Sequence, residues 1–247
     1  MPIETIVPRR LYQQVADQLT QLFDNGEYPV GARLPSERDL AERMGISRPT
    51  IREALIALEV QGRVRIRVGS GIYVTKPSSA SAHSTAGEGP FELLRAREFI
   101  EGAAAEEAAR HATDAHIAAL DDILARMDGM AHPGPKSIAL DREFHASIAS
   151  MLDNAVLVRV VGELFDQRMN PFFERLSAYF EDHSTWKAAF EEHRLVRDAI
   201  AARDPAAAKA AMQEHLRRSQ ARFSISFRKK PGTAKVPGME EEVAGAV

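Results

Sequence analysis

The sequence contains no cysteine. That excludes a disulfide framework and every thiolate-held zinc or iron–sulfur site, so any metal must rely on His, Asp or Glu. No apolar run approaches the ~20 residues that a membrane-crossing helix needs, and no membrane partner is expected. The opening MPIETIVPRR has no apolar signal core, which makes the cytoplasm the default location. Repeats of solenoid length are absent. So are H-E-x-x-H, paired E-x-x-H, a P-loop and a dinucleotide fingerprint. What remains is 247 residues, 45% hydrophobic and 27% charged, enough for one large or two small soluble domains with a real core.

The net charge of −3 conceals an asymmetry. Residues 1–77 hold 11 Lys/Arg and 9 Asp/Glu, whereas residues 78–247 hold 21 and 26. Within 43–67 six Arg face two Glu. A basic patch in an acidic chain suits contact with an anionic polymer, although a solvated basic face has the same composition. Residues 1–9 read as a flexible lead-in. Residues 78–90, within the Pro/Ser/Ala/Gly-rich PSSASAHSTAGEGP, read as a linker. Residues 228–247, with two Pro, three Gly and charge blocks, read as a disordered tail.

Residues 10–77 read as three helices and a hairpin. Leu11, Val15, Leu19 and Leu22 mark one face of a first helix that ends at Gly26. Ser36 to Asp39 has capping-box spacing and opens a short helix to Met44. After the Gly45-Ile46-Ser47 turn, Ser47 caps a further helix, with Pro49 in its first turn. Ile51, Ala54, Leu55 and Leu58 form its buried stripe, while Arg48 and Arg52 project together from another face. Strands at Val64–Val68 and Ile72–Val74 flank Gly69-Ser70-Gly71. Two short helices joined by a Gly-containing turn and followed by a hairpin predict a winged helix-turn-helix, with the second helix in the DNA major groove. Arg pairs bidentately with guanine, and hydroxyls bind phosphate.

Residues 91–227 show only helical periods and predict an antiparallel bundle of six or seven helices. The expected fold class is therefore mostly α. On three of these helices the inward stripe carries Asp141 and His145, then His193, then His215. Such groups buried without partners cost several kcal/mol. One divalent cation would satisfy all four, and Asp with His suits Zn, Ni, Mn or Fe. Three separate hydrogen-bonded core histidines would fit the same spacing. His83, His111, His116, His132 and His183 have no comparable setting and read as linker or surface residues.

The segment PVGARLPSERDLAERMGISRPTIREALIALEVQGRVRIRVGSGIYV resembles the DNA-binding domain of GntR-type transcription regulators. LPSERDLAE, SRPTIREAL and the G-S-G wing carry the likeness. It implies that Arg38, Arg48, Thr50, Arg52 and Gly69 touch double-stranded operator DNA, with Ser47 at a phosphate. Arg38 also fits a surface ion pair. ALDREFHASI, EEHRLVRDAIAARDPAAAKAAMQEHL and FELLRAREFIEGAAAEEAA resemble the ligand-sensing domain of the FadR-type subfamily. In its metal-binding members the positions of Asp141, His145, His193 and His215 hold the ion, Zn foremost, and a small carboxylate binds beside it. Arg97, which also fits an ion pair with Glu101, and Arg168 are the implied carboxylate contacts. LFDQRMNPFFERL and RVGSGIYV look similar to hexuronate-responsive members. The implied protein is a homodimeric, metabolite-responsive regulator, most simply a repressor. A metal-dependent hydrolase or oxygenase fused to a DNA-binding domain, and an effector-independent DNA binder, are the alternatives.

Overall fold

The computed structural model describes residues 10–76, 89–128, 130 and 134–223. The expected lead-in at 1–9, most of the 78–90 linker and the 228–247 tail lie outside the described residues, as do His83 and His132. The first unit runs α1 (Leu11–Asp24), α2 (Glu37–Met44), α3 (Arg48–Val60), β1 (Val64–Arg67) and β2 (Gly71–Val74). The second runs α4 (Pro90–His111), α5 (Asp114–Asp128), α6 (Pro135–Ser150), α7 (Ala155–Asp166), a 3₁₀ turn (Gln167–Met169), α8 (Pro171–Phe180), α9 (His183–Ala201) and α10 (Pro205–Phe223). Mostly helical architecture with a two-stranded wing is thus the observed fold class.

Local chemistry places the reading helix. Ser36 Oγ accepts from Asp39 N and Asp39 Oδ2 accepts from Ser36 N, both at 3.3 Å, closing the expected capping box of α2. Gly45 ends α2 at φ +65°, a left-handed position that a Cβ would strain. Ser47 Oγ then accepts from Thr50 N at 3.3 Å and starts α3. The expected stripe of α3, Ile51, Ala54, Leu55 and Leu58, is buried, but so are Arg52, Glu53, Ile56 and Ala57, because the second unit covers the other side of the helix. On α1 the buried stripe is Tyr12, Val15, Ala16, Leu19 and Phe23, and Leu11 is exposed. Tyr12 takes the inward place expected of Leu11, because its ring meets Phe172 of the second unit at 5.6 Å.

β1 and β2 pair antiparallel, with Val64 opposite Val74 and Arg67 opposite Gly71. Val64 and Ile66 point inward and Arg65 and Arg67 outward, the period of two that puts cations on one side of a wing. The chain before α2 adds an edge to this hairpin. Gly31 N donates to Val74 O and Leu34 N to Ile72 O, each at 2.8 Å. Sequence periodicity shows only a loop there, because that pairing is between segments far apart in the chain.

In the second unit α4 is the spine, packed along α10 and touching α6, α7 and α9. Ala104, Ala105, Ala108 and Ala109 are buried, and small side chains let neighbouring backbones approach closely. The fourth expected helix is broken into α7, the 3₁₀ turn and α8, with Pro171 opening α8.

The two units are docked through α3. Glu59 accepts from Ile66 N at 2.7 Å, from Arg175 Nε at 2.9 Å and from Tyr179 Oη at 2.7 Å. Glu53 accepts from Phe91 N at 3.2 Å, at the start of α4. Burial, helped by the nearby Glu92 charge and opposed by that hydrogen bond, pushes the Glu53 carboxyl up to about 7. Its folded value therefore exceeds its unfolded one. The stability it contributes is complete below about pH 4.5 and is lost as pH rises through about 7. Urea midpoints of the wild type should fall across that window, by up to about 3 kcal/mol in stability. Glu53→Gln keeps an acceptor for Phe91 N and should flatten the fall. An equally steep profile in the variant would remove Glu53 as its cause.

Candidate DNA-binding groove and metal centre

The segment leading into α2, α2 itself, Arg48 at the start of α3 and the wing surround an open groove of about 1020 Å³, with Glu37 and Asp39 among its walls. Arg33, Arg38, Arg43, Arg48 and Arg67 line it beside Gly69. Gly69 sits at φ +78° with open space around it, so the wing tip is narrow and its backbone accessible. Ser47 and Thr50 stand at the N-terminus of α3 with their hydroxyls 2.8 Å apart, where the helix dipole favours an anion. A concave surface lined by guanidinium groups and backed by a helix N-terminus is suited to a phosphodiester backbone.

The second site is inside the helical bundle. Asp141 and His145 sit one turn apart on α6, His193 on α9 and His215 on α10, and all four are buried. Each offers one ligand atom, and these atoms lie within 4.8 Å of one another. Nε2 of His193 and Nε2 of His145 approach Asp141 Oδ1 at 3.1 and 3.3 Å, and each other at 3.3 Å. Asp141 Oδ1 nevertheless has no hydrogen bond of acceptable geometry among the described residues. Ligand distances near 2.0–2.2 Å around one ion would bring donor atoms about this close, so the donor set fits a divalent cation.

Carboxylates stand behind two of the three histidines. Glu101 Oε2 pairs with His145 Nδ1, and Glu192 Oε2 lies 2.9 Å from His215 Nδ1. Both contacts lie at Nδ1 and leave Nε2 for the centre, as carboxylates do behind metal-bound histidines, and of the two only the Glu192–His215 contact has hydrogen-bond geometry. Arg168 Nη1 donates to Asp141 Oδ2 at 2.7 Å, so only Oδ1 faces the histidines. Arg97 Nε donates to Glu101 Oε1 at 2.5 Å. Both guanidinium groups lie over the Phe165 ring, Arg97 at 4.7 Å and Arg168 at 5.0 Å.

Electrostatics separate the donors. Burial opposes ionisation of Asp141, but the His145 and His193 contacts and the Arg168 cation hold it well below the usual carboxylate range. Burial drives His193 down, and drives His215 well down with help from the neighbouring His193 and His145. For His145 burial is again the largest influence and acts downward, yet the Glu101 charge and the contacts with Asp141 and Glu101 together outweigh it and raise the imidazole. The cluster therefore offers an ionised carboxylate and two imidazoles biased to the neutral, lone-pair-bearing form.

Comparison with known proteins decides the family. The model for "Bacterial regulatory proteins, gntR family" matches residues 11–74, and that for "FCD domain" matches residues 92–218. The Escherichia coli K12 "Exu regulon transcriptional regulator" is 37% identical over 223 residues, covering 87% of this chain and 84% of that one. The chain belongs to the gntR family. The Haemophilus influenzae "Uxu operon regulator" is 34% identical over 218 residues, covering 87% of this chain and 82% of that one. The Edwardsiella tarda "HTH-type transcriptional repressor NanR" is 30% identical over 223 residues, covering 85% and 84%. This gntR-family chain with an FCD domain is a transcription regulator, not an enzyme.

Not every expected DNA contact of this regulator lies open in the groove. Arg38 is 76% exposed, with only a loose 3.7 Å ion pair to Asp39, and Arg48 is exposed. Arg52 is 0% exposed, although it stands one turn from Arg48. Its Nη2 donates to Glu37 Oε1 at 2.5 Å, its guanidinium lies 5.3 Å from the Phe180 ring centroid, and its Nη1 donates to the Phe223 carbonyl. Helical spacing shows that the two arginines share a side of α3. It does not show that the second unit covers one of them. The Arg97–Glu101 pair is present, but buried against the histidines and not on the surface. Of the remaining histidines, His111 and His183 are exposed and His116 is partly so.

Sequence reasoning counted Arg43 and Arg67 only within the basic 43–67 stretch, and missed Arg33 in the groove and Glu37, Glu101 and Glu192 as buried carboxylates. Two signals were available: Glu101 is four residues after Arg97, and Glu192 directly precedes His193. With Arg48 in the open groove, Arg48→Ala should weaken binding to duplex DNA by roughly 1–3 kcal/mol and lower the salt slope by about 1. Anisotropy titrations at several salt concentrations read both. An unaltered affinity and slope would place the reading surface elsewhere.

Proposed function

We propose that this gntR-family regulator senses a small carboxylate, of the sugar-acid or hydroxy-acid class, beside a divalent metal in its FCD domain. The convergence of Asp141, His145, His193 and His215 within 4.8 Å, with Arg168 against the same aspartate, carries the reading. Asp141, His145, His193 and His215 would hold the ion, zinc being favoured by three imidazoles and one carboxylate. The bound ion supplies a positive Lewis-acid centre with coordination positions left for an anionic ligand. The protein's own residues do the rest. Glu101 and Glu192 set the rings of His145 and His215, Arg168 fixes Asp141, and Arg97 and Arg168, paired here with Glu101 and Asp141, would be the cations that a carboxylate meets. The names of the Exu and Uxu relatives support the sugar-acid class, and hexuronates are the first candidates.

On the DNA side, the reading assigns Arg38, Ser47, Arg48, Thr50 and Gly69 to operator contact, with Arg52 joining them once exposed. Residues 10–77 and 91–227 act as the two units, joined through 78–90. A homodimer would place one α3 in each half of a pseudo-palindromic operator. The Edwardsiella tarda relative is named a repressor, which favours release of DNA on ligand binding here. No helix among the described residues is long and apolar enough to cross a membrane, in keeping with a cytoplasmic regulator. Ligand changes DNA affinity only as far as it binds the two arrangements of the units differently.

A thermal-shift panel of hexuronates, other sugar acids and small hydroxy acids, with and without chelator, tests this. An acid at about a hundredfold its Kd should stabilise the protein by about 2.7 kcal/mol, raising Tm by roughly 5–10 °C. Chelator should abolish the shift. No shift with any acid would reject the carboxylate sensor, and a shift that survives chelation would reject the role of the metal. Glu192→Gln, which leaves the four donors in place, should lower zinc affinity about 10–100-fold in calorimetric titration.

A further inference from the structure

The buried cluster and the reading helix are joined at the end of α10, and two lines of contact meet there. In the first, Glu192 carries His215 on one carboxylate oxygen and Arg222 on the other, at 2.9 and 2.5 Å. Arg222 adjoins Phe223, whose carbonyl accepts from Arg52 Nη1. In the second, Asp141 accepts from Arg168, which lies 5.1 Å from the Phe173 ring centroid; Phe173 in turn meets the Phe223 ring edge-on at 5.4 Å. Phe223 is thus in contact with both sides. Its ring belongs to the core under Arg168, and its carbonyl holds a recognition-helix arginine.

Arg52 is held from three directions. Phe223 supplies an acceptor, Phe180 of α8 a ring face, and Glu37 of α2 a carboxylate. Glu37 also reaches Arg48 Nε at 3.5 Å, so both arginines share one anion. A guanidinium with no exposed surface, paired to a buried carboxylate, makes no contact with a phosphate or a base edge. For Arg52 to reach DNA, α3 must leave α8 and the end of α10.

We propose that Phe180 and the Arg222–Phe223 end of α10 form a latch that withholds Arg52 from DNA, and that Arg222 ties this latch to the buried histidine cluster through Glu192. The latch is independent of what the cluster binds. The tie rests on the reading of that cluster as a metal centre. A sensor built this way needs no long-range wire, because one helix end belongs to both packing arrangements.

Two measurements on the full-length protein decide the matter. The first uses a duplex enriched from a random pool by the wild type. Phe180→Ala removes the ring over Arg52, and it should tighten binding roughly threefold to tenfold while Arg52→Met weakens it. Phe180→Leu, which preserves more of the packing, should act in the same direction if the alanine variant folds poorly. Unchanged or weaker binding by a folded Phe180 variant overturns the latch. The second measurement follows hydrogen exchange over residues 48–60 with zinc chloride alone, at saturation, against chelator. Zinc should change exchange there in the wild type, and Arg222→Gln should abolish that response while still taking up zinc. A wild-type response in Arg222→Gln overturns the tie, as does zinc uptake by the wild type with no change in α3. If the wild type takes up no zinc, the metal reading and the tie fall together, and the Phe180 affinities still decide the latch.

Discussion

A charge inside a protein must find an opposite charge or a strong hydrogen bond, because removing an ion from water costs several kcal/mol that only close partners return. This constraint organises both functional regions of the regulator. Arg52, Arg97, Asp141, Glu37, Glu101 and Glu192 are all buried, and each is matched. Removing one member of such a set leaves its partner uncompensated, which is far more disruptive than exchanging both for apolar groups. The pairs therefore fix which helices meet and in what register.

The same constraint explains why a metal suits the bundle. Three imidazoles packed with His193 and His215 at 4.4 Å between ring centroids cannot all be cations, and burial keeps those two neutral. Asp141 stays ionised because Arg168 and the imidazoles surround it. What results is an ionised carboxylate beside the lone pairs of His193 and His215, with Glu101 of α4 holding His145 toward its charged form and Glu192 of α9 against His215. Phe144 packs against His145 and His193, and Phe165 against His145; such apolar walls exclude water, which strengthens the electrostatic contacts inside.

Docking of the winged unit draws on the same chemistry. Glu53 and Glu59 of α3 accept hydrogen bonds from α4 and α8. Arg52 is closed in by elements of both units. These polar contacts act beside apolar ones, such as the Tyr12 and Phe172 rings 5.6 Å apart.

Much of this was legible in the chain itself. The capping residues Ser36 and Ser47, the left-handed Gly45 and the alternating wing follow from nearest-neighbour chemistry, so the motif around Arg48 could be read residue by residue. Helical period alone put Asp141, His145, His193 and His215 on inward faces, because a turn of 3.6 residues leaves few choices. Their meeting at one point was a different matter. It depends on how α6, α9 and α10 cross, and crossing geometry is set by side chains distributed over the whole bundle. The burial of Arg52 was likewise invisible, since Phe180 and Phe223 lie more than a hundred residues away and only docking brings them to α3. The sequence by itself determined the elements, their faces and the chemistry carried on each face, because those depend on local backbone preference. Tertiary structure alone decided which faces meet, and so which arginines remain open to DNA and which carboxylates serve the histidines.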